Sequence, residues 1–91
     1  MMYTPAYTRQ FSKDVKLAGK RGMDLGKLKT IVRDLITGQR LDAIHRDHRL
    51  VGDYVGRREC HIEADWLVIY KVQGSAIIFE RTGSHSDLFK K

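Results

Sequence analysis

The sequence predicts an α+β fold in which an N-terminal helical hairpin packs on one face of an antiparallel β-sheet. Two consecutive segments carry apolar residues at helical spacing, and three segments rich in strand-forming residues follow them. A chain of 91 residues buries only about 60 to 65 per cent of its unfolded surface, which suffices for one core. A hydrophobic fraction of 42% beside a charged fraction of 31% is typical of a folded globule. We therefore expect a single domain over residues 1–91.

The first helix is predicted in the segment FSKDVKLAGKRG, where three apolar residues recur at helical spacing between lysines. Thr8 or Ser12 is expected to cap its start, and the helix is expected to end near Gly22. A second helix is predicted in DLGKLKTIVRDLITG, with Asp24 as its N-cap and Gly38 as its stop. A short turn joins the two, so they form a helical hairpin.

The sheet is predicted in the second half of the chain. Residues 41–56 contain two glycine breakers and are interpreted as a loop that leads into a short strand. Three antiparallel strands are expected in the segments around Ile62, in WLVIYKV and in AIIFERT, with residues 73–75 as the last hairpin connection. A further short strand is expected near Tyr3, beside Pro5.

The charge of the chain favours a polyanionic partner. Seventeen Lys and Arg against eleven Asp and Glu give a net charge of +6 and a pI near 9.7. The longest apolar run, Trp66 to Tyr70, is far shorter than the roughly 20 residues of a membrane span, so we expect a cytoplasmic protein. Cys60 has no second cysteine to pair with, and we interpret it as a half-buried strand residue rather than a catalytic thiol.

Strand alternation predicts which side chains share a face. On the segment CHIEADW, the side chains of His61, Glu63 and Asp65 are expected to point to one face. The same alternation places Ile77 and Arg81 together on the last strand. Because the helices cover one face of the sheet, we expect the other face to be free for function.

Three of the four histidines lie on segments that this fold brings to one sheet face, namely His48, His61 and His85. Histidine titrates near neutral pH and is suited to moving protons during phosphodiester cleavage. RNA supplies its own nucleophile, the 2′-hydroxyl, so a base, an acid and a cation such as Arg81 suffice without a metal. The sequence therefore offers the groups for metal-independent RNA cleavage.

Each of these residues also has a structural explanation. A single histidine on a strand is more often solvated than catalytic, and Arg81 is expected to pair with Glu63 or Glu80 if its role is only an exposed ion pair. Trp66 and Phe89 are suited to core positions. A zinc site through the histidines is a weaker interpretation because one cysteine cannot supply several thiolates. We expect no metal and no other cofactor.

Three motifs carry a resemblance to a known family. They are the DH pair followed by L-x-G, the segment R-x-C-H-I-x-x-D-W, and the C-terminal R-x-G-x-H-x-x-L-F. Together with the two predicted helices, they resemble the YafQ branch of the RelE/ParE superfamily of bacterial toxin-antitoxin toxins. The likeness runs through most of the chain and implies a RelE-like fold.

The resemblance implies a ribosome-dependent messenger-RNA endonuclease that cuts translated messages in the ribosomal A site. Its catalytic set maps onto five residues, and its substrate-binding positions onto Trp66, Phe89 and again Arg81. The catalytic residues are His48, His61, Asp65, Arg81 and His85.

We expect His85, on a mobile tail, to protonate the leaving oxygen, and Asp65 or His61 to accept the 2′-hydroxyl proton. Arg81 is expected to stabilise the phosphate, and His48 to orient the substrate. Phe89 either stacks on a base or packs beneath the tail. His45 matches no functional position.

The resemblance also implies partners. A DinJ-like antitoxin with a ribbon-helix-helix end would silence the toxin, and the complex would bind its own operator DNA. The helical hairpin carries basic residues that suit either ribosomal RNA or an acidic antitoxin. They are Lys13, Lys16, Lys20, Arg21, Lys27, Lys29 and Arg33.

Two other functions remain open at this point. A ParE-like poison shares the fold and binds a topoisomerase without cleaving anything, so it does not need the histidines and Asp65. A plain nucleic-acid-binding module would contain them by coincidence. A substitution at His85 separates both from the nuclease.

Overall fold

The computed structural model describes residues 2–89, which contain three α-helices, two short 3-10 helices and a five-stranded sheet. The helices are α1 (Arg9–Lys20), α2 (Leu25–Ile36) and α3 (His85–Leu88). The strands are β1 (Thr4–Tyr7), β2 (His48–Arg49), β3 (Arg58–Glu63), β4 (Trp66–Gln73) and β5 (Ala76–Gly83). Both elements of the predicted helical hairpin are present.

Side-chain caps set where the two long helices begin. The Thr8 hydroxyl accepts a hydrogen bond from the backbone N–H of Phe11 at 3.0 Å, so Thr8 caps α1 and Ser12 lies inside the helix. The Asp24 carboxylate accepts from the N–H of Gly26 at 2.9 Å and caps α2. Each cap satisfies an N–H that lacks an intrahelical acceptor.

The sheet has the strand order β1-β5-β4-β3-β2. The predicted antiparallel pairs β3–β4 and β4–β5 are confirmed. The short strand expected near Tyr3 also forms, but it pairs parallel with β5, so the sheet is mixed rather than purely antiparallel. This pairing joins the two ends of the chain, and no local pattern in the sequence indicates it.

The helices and the sheet enclose one main core, while the opposite face is only partly covered. The main core comprises Phe11, Ala18, Leu28, Ile31, Leu35, Cys60, Ile62, Trp66, Val68, Tyr70, Ile77 and Phe79. On the opposite face, Leu67 and Ile69 pack with Leu88 of α3, and Leu50, Tyr54 and Phe89 surround them. The expectation of a free face therefore holds only for the part beside this smaller cluster.

Two bulges in the described strands change the predicted faces. The β3–β4 register shifts between His61 and Glu63, and Glu63 bonds to Lys27 of α2, on the helix side. The β4–β5 register skips Glu80, so Arg81 lies opposite Ile69 of the partly covered face. The prediction that these side chains follow strict alternation is wrong, because each bulge adds one residue and reverses the alternation after it.

Cys60 is fully buried rather than half-buried, with no solvent exposure. Burial raises the pKa of its thiol to about 12, so the sulfur stays protonated near neutral pH. Its place in the main core supports the structural interpretation. Within residues 2–89, no helix has the length and apolar character needed to span a bilayer.

Candidate active site

Three histidine rings meet on the open part of the second sheet face. The ring centroid of His61 lies 5.6 Å from that of His85 and 6.4 Å from that of His48. The three rings come from β3, the start of α3 and β2, which are far apart in sequence. His61 is the central and most buried ring, since its side chain is 11% exposed against 50% for His48.

His85 lies on an ordered helical turn, not on a mobile tail. It is the first residue of α3, whose N-cap Ser84 accepts from the N–H of Asp87 while the Asp87 carboxylate accepts from the N–H of Ser84. Gly83 permits this arrangement, because a Cβ there would lie 3.0 Å from the Asp87 side chain. Arg21, the C-cap of α1, then bonds to Asp87 at 2.7 Å. The Ser-x-x-Asp spacing of Ser84 and Asp87 is the sequence pattern from which this capped helical turn could have been predicted.

The Arg21 guanidinium beside Asp87, with the Ser84 N–H, lowers the pKa of the Asp87 carboxyl to about 2. A carboxyl with a depressed folded-state pKa adds stability above its ordinary pKa of 3.8, and this contribution is lost as the pH falls toward about 2. We expect Asp87→Asn to lower the free energy of unfolding by a constant amount above pH 4.

This difference from the wild type should vanish near pH 2. Urea unfolding of both proteins from about pH 2 to 7 measures it. Asp42→Asn, at an exposed position whose side chain makes no cap hydrogen bond, is the control. A pH-independent difference at Asp87 would contradict the proposed role of its charge.

Asp65 orients His85. It lies in the turn between β3 and β4, and its Oδ1 accepts from the backbone N–H of His85 at 2.9 Å and from ring Nδ1 at 2.6 Å. These two hydrogen bonds lower the pKa of Asp65, and the bond from the backbone N–H has the larger effect. Asp65 therefore stays ionised near neutral pH. Nδ1 of His85 therefore carries a proton, and Nε2 is the nitrogen available to a substrate.

His48 lies between two acceptors. Its Nε2 is 3.0 Å from Oε2 of Glu59, and its Nδ1 is 2.6 Å from the backbone oxygen of Arg46. Arg46 has a positive φ of 47°, a strained backbone conformation for a residue other than glycine. This conformation places the Arg46 carbonyl against the His48 ring. Both ring nitrogens of His48 therefore have an acceptor within hydrogen-bond distance, which fixes the orientation of the ring.

Glu59 is the residue of this site that the sequence interpretation missed. It is 6% exposed, its Oε2 also lies 3.9 Å from Nε2 of His61, and its Oε1 has no hydrogen-bond partner within residues 2–89. This buried carboxylate therefore lies beside two of the three histidine rings. The signal was its position two residues before His61 on the same strand, which places both on one face.

Asp47, the first residue of the DH pair, anchors the loop that carries His48. Its Oδ1 accepts from the Tyr70 hydroxyl at 2.6 Å and from Nε of Arg58 at 3.2 Å. The loop backbone before β2 is thereby fixed to β3 and β4. Asp47 thus fixes the backbone position from which the next residue, His48, reaches the site.

Arg81 pairs with a residue that the sequence did not indicate. Its Nε donates to Oδ2 of Asp14 on α1 at 2.8 Å, and its Nη2 to Oδ1 at 3.3 Å. The expected ion pair with Glu63 or Glu80 is wrong, since the first bonds to a lysine of α2 and the second to an arginine just before β3. Arg81 is not in hydrogen-bond contact with the histidine rings.

Trp66 belongs to the core and not to the substrate-binding surface. It is 1% exposed, and its Nε1 donates to Oγ1 of Thr82 at 3.0 Å. We therefore correct its assignment as a substrate-binding position, because β4 turns its side chain toward the helices. Its hydrogen bond fixes the end of β5 from which α3 starts.

Phe89 packs against Tyr54 and also lines the cleft beside His85. Its ring is 5.5 Å from that of Tyr54 in an edge-on arrangement and 6.3 Å from that of His85. A cleft of about 820 Å³ runs past His85 and His48, with Phe89 and Leu50 in its lining. The lining of this cleft thus combines apolar side chains with two histidines.

Within residues 2–89, no group of three or more His, Cys, Asp or Glu side chains is arranged to hold a metal ion. The expected absence of a metal stays a prediction.

Comparison with known proteins decides the family. A model of the family described as "Bacterial toxin of type II toxin-antitoxin system, YafQ" matches residues 3–90. The chain belongs to the YafQ family. It is 48% identical over 84 residues to the mRNA interferase toxin YafQ of Escherichia coli K12, covering 91% of each chain.

Solved structures of bacterial toxins confirm the fold class. The E. coli DinJ–YafQ toxin-antitoxin complex contains a chain that matches with a TM-score of 0.90 at 44% identity, over 98% of this chain and 99% of that one. A copper-bound mutant toxin from Helicobacter pylori matches with a TM-score of 0.90 at 34% identity, over 98% and 100%. The helical hairpin on a five-stranded sheet is therefore the YafQ fold.

Proposed function

We propose that this YafQ-family toxin is a ribosome-dependent endoribonuclease that cleaves translated messenger RNA by metal-independent acid-base catalysis. The observation that carries the proposal is the meeting of His48, His61 and His85, with Asp65 holding Nδ1 of His85 at 2.6 Å. A ring held in one orientation by a carboxylate is the arrangement expected of a proton-transfer catalyst. The E. coli relative is an mRNA interferase toxin, which supports the same reaction.

In the proposed reaction, His61 accepts the proton of the 2′-hydroxyl, and the resulting oxyanion attacks the adjacent phosphorus. The bond from phosphorus to the 5′-oxygen breaks, and Nε2 of protonated His85 donates a proton to that oxygen. The products are a 2′,3′-cyclic phosphate and a free 5′-hydroxyl. Asp65, ionised and bonded to His85, acts as its positioning residue, which leaves His61 as the base of choice.

Charge near the rings stabilises the transition state. The phosphate gains negative charge during attack, and fixed cations offset it without reorganisation. His48, held between Glu59 and the Arg46 carbonyl, supplies one positive charge beside His61. Arg81 supplies the second and binds the phosphate. Phe89, in the apolar lining of the cleft, stacks on a base of the message.

The proposed regulator is an acidic DinJ-like antitoxin with a ribbon-helix-helix end, and the complex binds operator DNA. An apolar groove of about 460 Å³ between α1, α2 and β1 supports a docking surface for it. Phe11, Val15 and Val32 line this groove, and Lys29 and Arg33 border it. Arg21 and Lys27 already pair with Asp87 and Glu63, so they contribute less to an acidic partner than the sequence suggested.

Induced expression in a bacterium tests the proposal. We expect growth arrest, messenger-RNA 5′ ends that map in frame within translated regions, and relief of both when a DinJ-like antitoxin is expressed with the toxin. A message whose start codon is removed is the control, because it is not translated and should stay intact. Acting on translating ribosomes also implies a cytoplasmic location.

The alternative is a ParE-like poison that binds a topoisomerase. Growth arrest with intact messages would favour it over the nuclease. The hydrogen-bonded pair of Asp65 and His85 has no function in such a poison, which is why we prefer cleavage.

A further inference from the structure

We infer that Asp14 of α1 is a positioning residue, which holds the Arg81 guanidinium in the orientation that binds the scissile phosphate. The inference rests on the proposed nuclease function and adds to it a residue outside the histidine cluster. Asp14 is far from that cluster in sequence, and neither its helix nor its spacing marks it. Its contacts in the folded chain assign the role.

Asp14 is buried and makes four hydrogen bonds. It is 8% exposed, and each carboxylate oxygen accepts two donors. Oδ2 accepts from Nε of Arg81 at 2.8 Å and from the backbone N–H of Thr82 at 3.1 Å. Oδ1 accepts from Nη2 of Arg81 at 3.3 Å and from Nε2 of Gln10 at 3.0 Å. The carboxylate is therefore fixed by α1 and by the end of β5 together.

The binding of Asp14 determines which part of Arg81 remains available. A guanidinium donates along two edges, and Asp14 takes the edge formed by Nε and Nη2. The remaining N–H groups, those of Nη1 above all, point away from Asp14. A phosphate oxygen is the ligand that this second edge fits, because its geometry matches a planar fork of donors.

Arg81 lies on the same sheet face as the proposed site. The skipped residue Glu80 places Arg81 opposite Ile69, on the sheet face that carries the histidines. Tyr54 is close enough to interact with the guanidinium. Its ring contacts that of Phe89, 5.5 Å away, and the Phe89 ring lies 6.3 Å from that of His85. A continuous set of contacts thus leads from Asp14 to the proposed acid.

Asp14 accepts from the Thr82 N–H, which β1 leaves without a strand partner, and its burial also requires a cationic partner, which Arg81 supplies. The two hydrogen bonds to Asp14 reduce the conformational freedom of the Arg81 side chain. This entropic cost is offset in catalysis, because a guanidinium that is already oriented stabilises the charge that develops on the phosphate. If Asp14 instead withheld Arg81 from the phosphate, removing the carboxylate would raise the cleavage rate rather than lower it. The two roles are separated by one variant.

The test is a double-mutant cycle on single-turnover cleavage of a message bound to ribosomes. Asp14→Asn keeps an acceptor oxygen for the Thr82 N–H but loses the charge that holds the guanidinium. We expect it to lower the cleavage rate at least about tenfold, with little change in toxin binding to the ribosome. In an Arg81→Ala background the same substitution should have no further effect, because Asp14 acts through Arg81.

Controls separate positioning from folding. Asp34→Asn on α2, a partly buried aspartate away from the site, should leave the rate unchanged. Asp14→Glu enters the same cycle if Asp14→Asn does not fold, as judged by circular dichroism. It keeps the charge but displaces the carboxylate, and we expect it to lose activity only when Arg81 is present.

Each outcome decides the inference. An Asp14→Asn effect of equal size with and without Arg81 would mean a structural role and overturn it, and a faster Asp14→Asn enzyme would mean a withheld Arg81 and also overturn it. Failure of the wild type to cleave would overturn the proposed nuclease together with this inference. Cleavage by the wild type with full activity of Asp14→Asn would overturn this inference alone.

Discussion

Replacing His85 with glutamine should lower the single-turnover rate of message cleavage by at least about 100-fold, because general acid catalysis contributes 10² to 10⁴ and a carboxamide cannot transfer its proton. The fold should survive. The backbone N–H of His85, which bonds to Asp65 at 2.9 Å, and the Ser84 cap of α3 do not depend on the imidazole. The rate, measured with ribosomes programmed with one message, checks the expectation.

His45→Gln is the matched control, since it makes the same chemical change in a ring outside the site. Nδ1 of His45 is 2.7 Å from the backbone oxygen of His61, and a glutamine amide can donate to the same oxygen. We expect less than a tenfold change. A loss of cleavage rate below about tenfold in His85→Gln would be too small for a positioned acid. It would favour the ParE-like poison instead.

Glu59→Gln should lower the cleavage rate about 100-fold. The carboxylate of Glu59 is 3.0 Å from Nε2 of His48 and 3.9 Å from Nε2 of His61, and it is nearly shielded from water. In the proposed mechanism this carboxylate holds the His48 ring in place, so that His48 offsets the charge that develops on the reacting phosphate. Removing one such preorganised contribution costs about 10² to 10³ in rate. The measurement is the same single-turnover assay, with thermal unfolding as a check that the variant folds.

Glu63→Gln serves as its control on the same strand. The Glu63 carboxylate bonds to Lys27 on the helix side of the sheet, and both side chains are substantially exposed, so its removal should leave cleavage unchanged. If both variants were equally active, Glu59 would be a structural carboxylate. If both lost activity equally, the effect would come from β3 and not from the histidines.

Local patterns in the sequence predicted most of the secondary structure. The caps Thr8 and Asp24, the two helical stripes and the strands of the C-terminal half lie where expected. Helix caps and apolar periodicity act within a few residues, so the sequence displays them directly. The same is true of the turn at residues 74–75, where Gly74 has a φ of 60°.

The candidate site was predicted in part. The sequence indicated that His48, His61 and His85 converge, and the ring distances agree. Glu59 could have been predicted, because it alternates with His61 on one strand. The assignment of Trp66 to substrate, which came from the family resemblance, failed because its ring lies in the core.

The sequence by itself indicated the three histidines and Asp65 of the site, the order of its elements and the family, since motifs and periodicity are local properties of the chain. Only the tertiary structure decided how the charges pair. The bonds between Asp14 and Arg81 and between Arg21 and Asp87 join residues 67 and 66 positions apart, and β1 pairs with β5 across nearly the whole chain. Such contacts depend on packing α1 against the sheet edge and on one extra residue at Glu80, neither of which has a signature in the local pattern of residues.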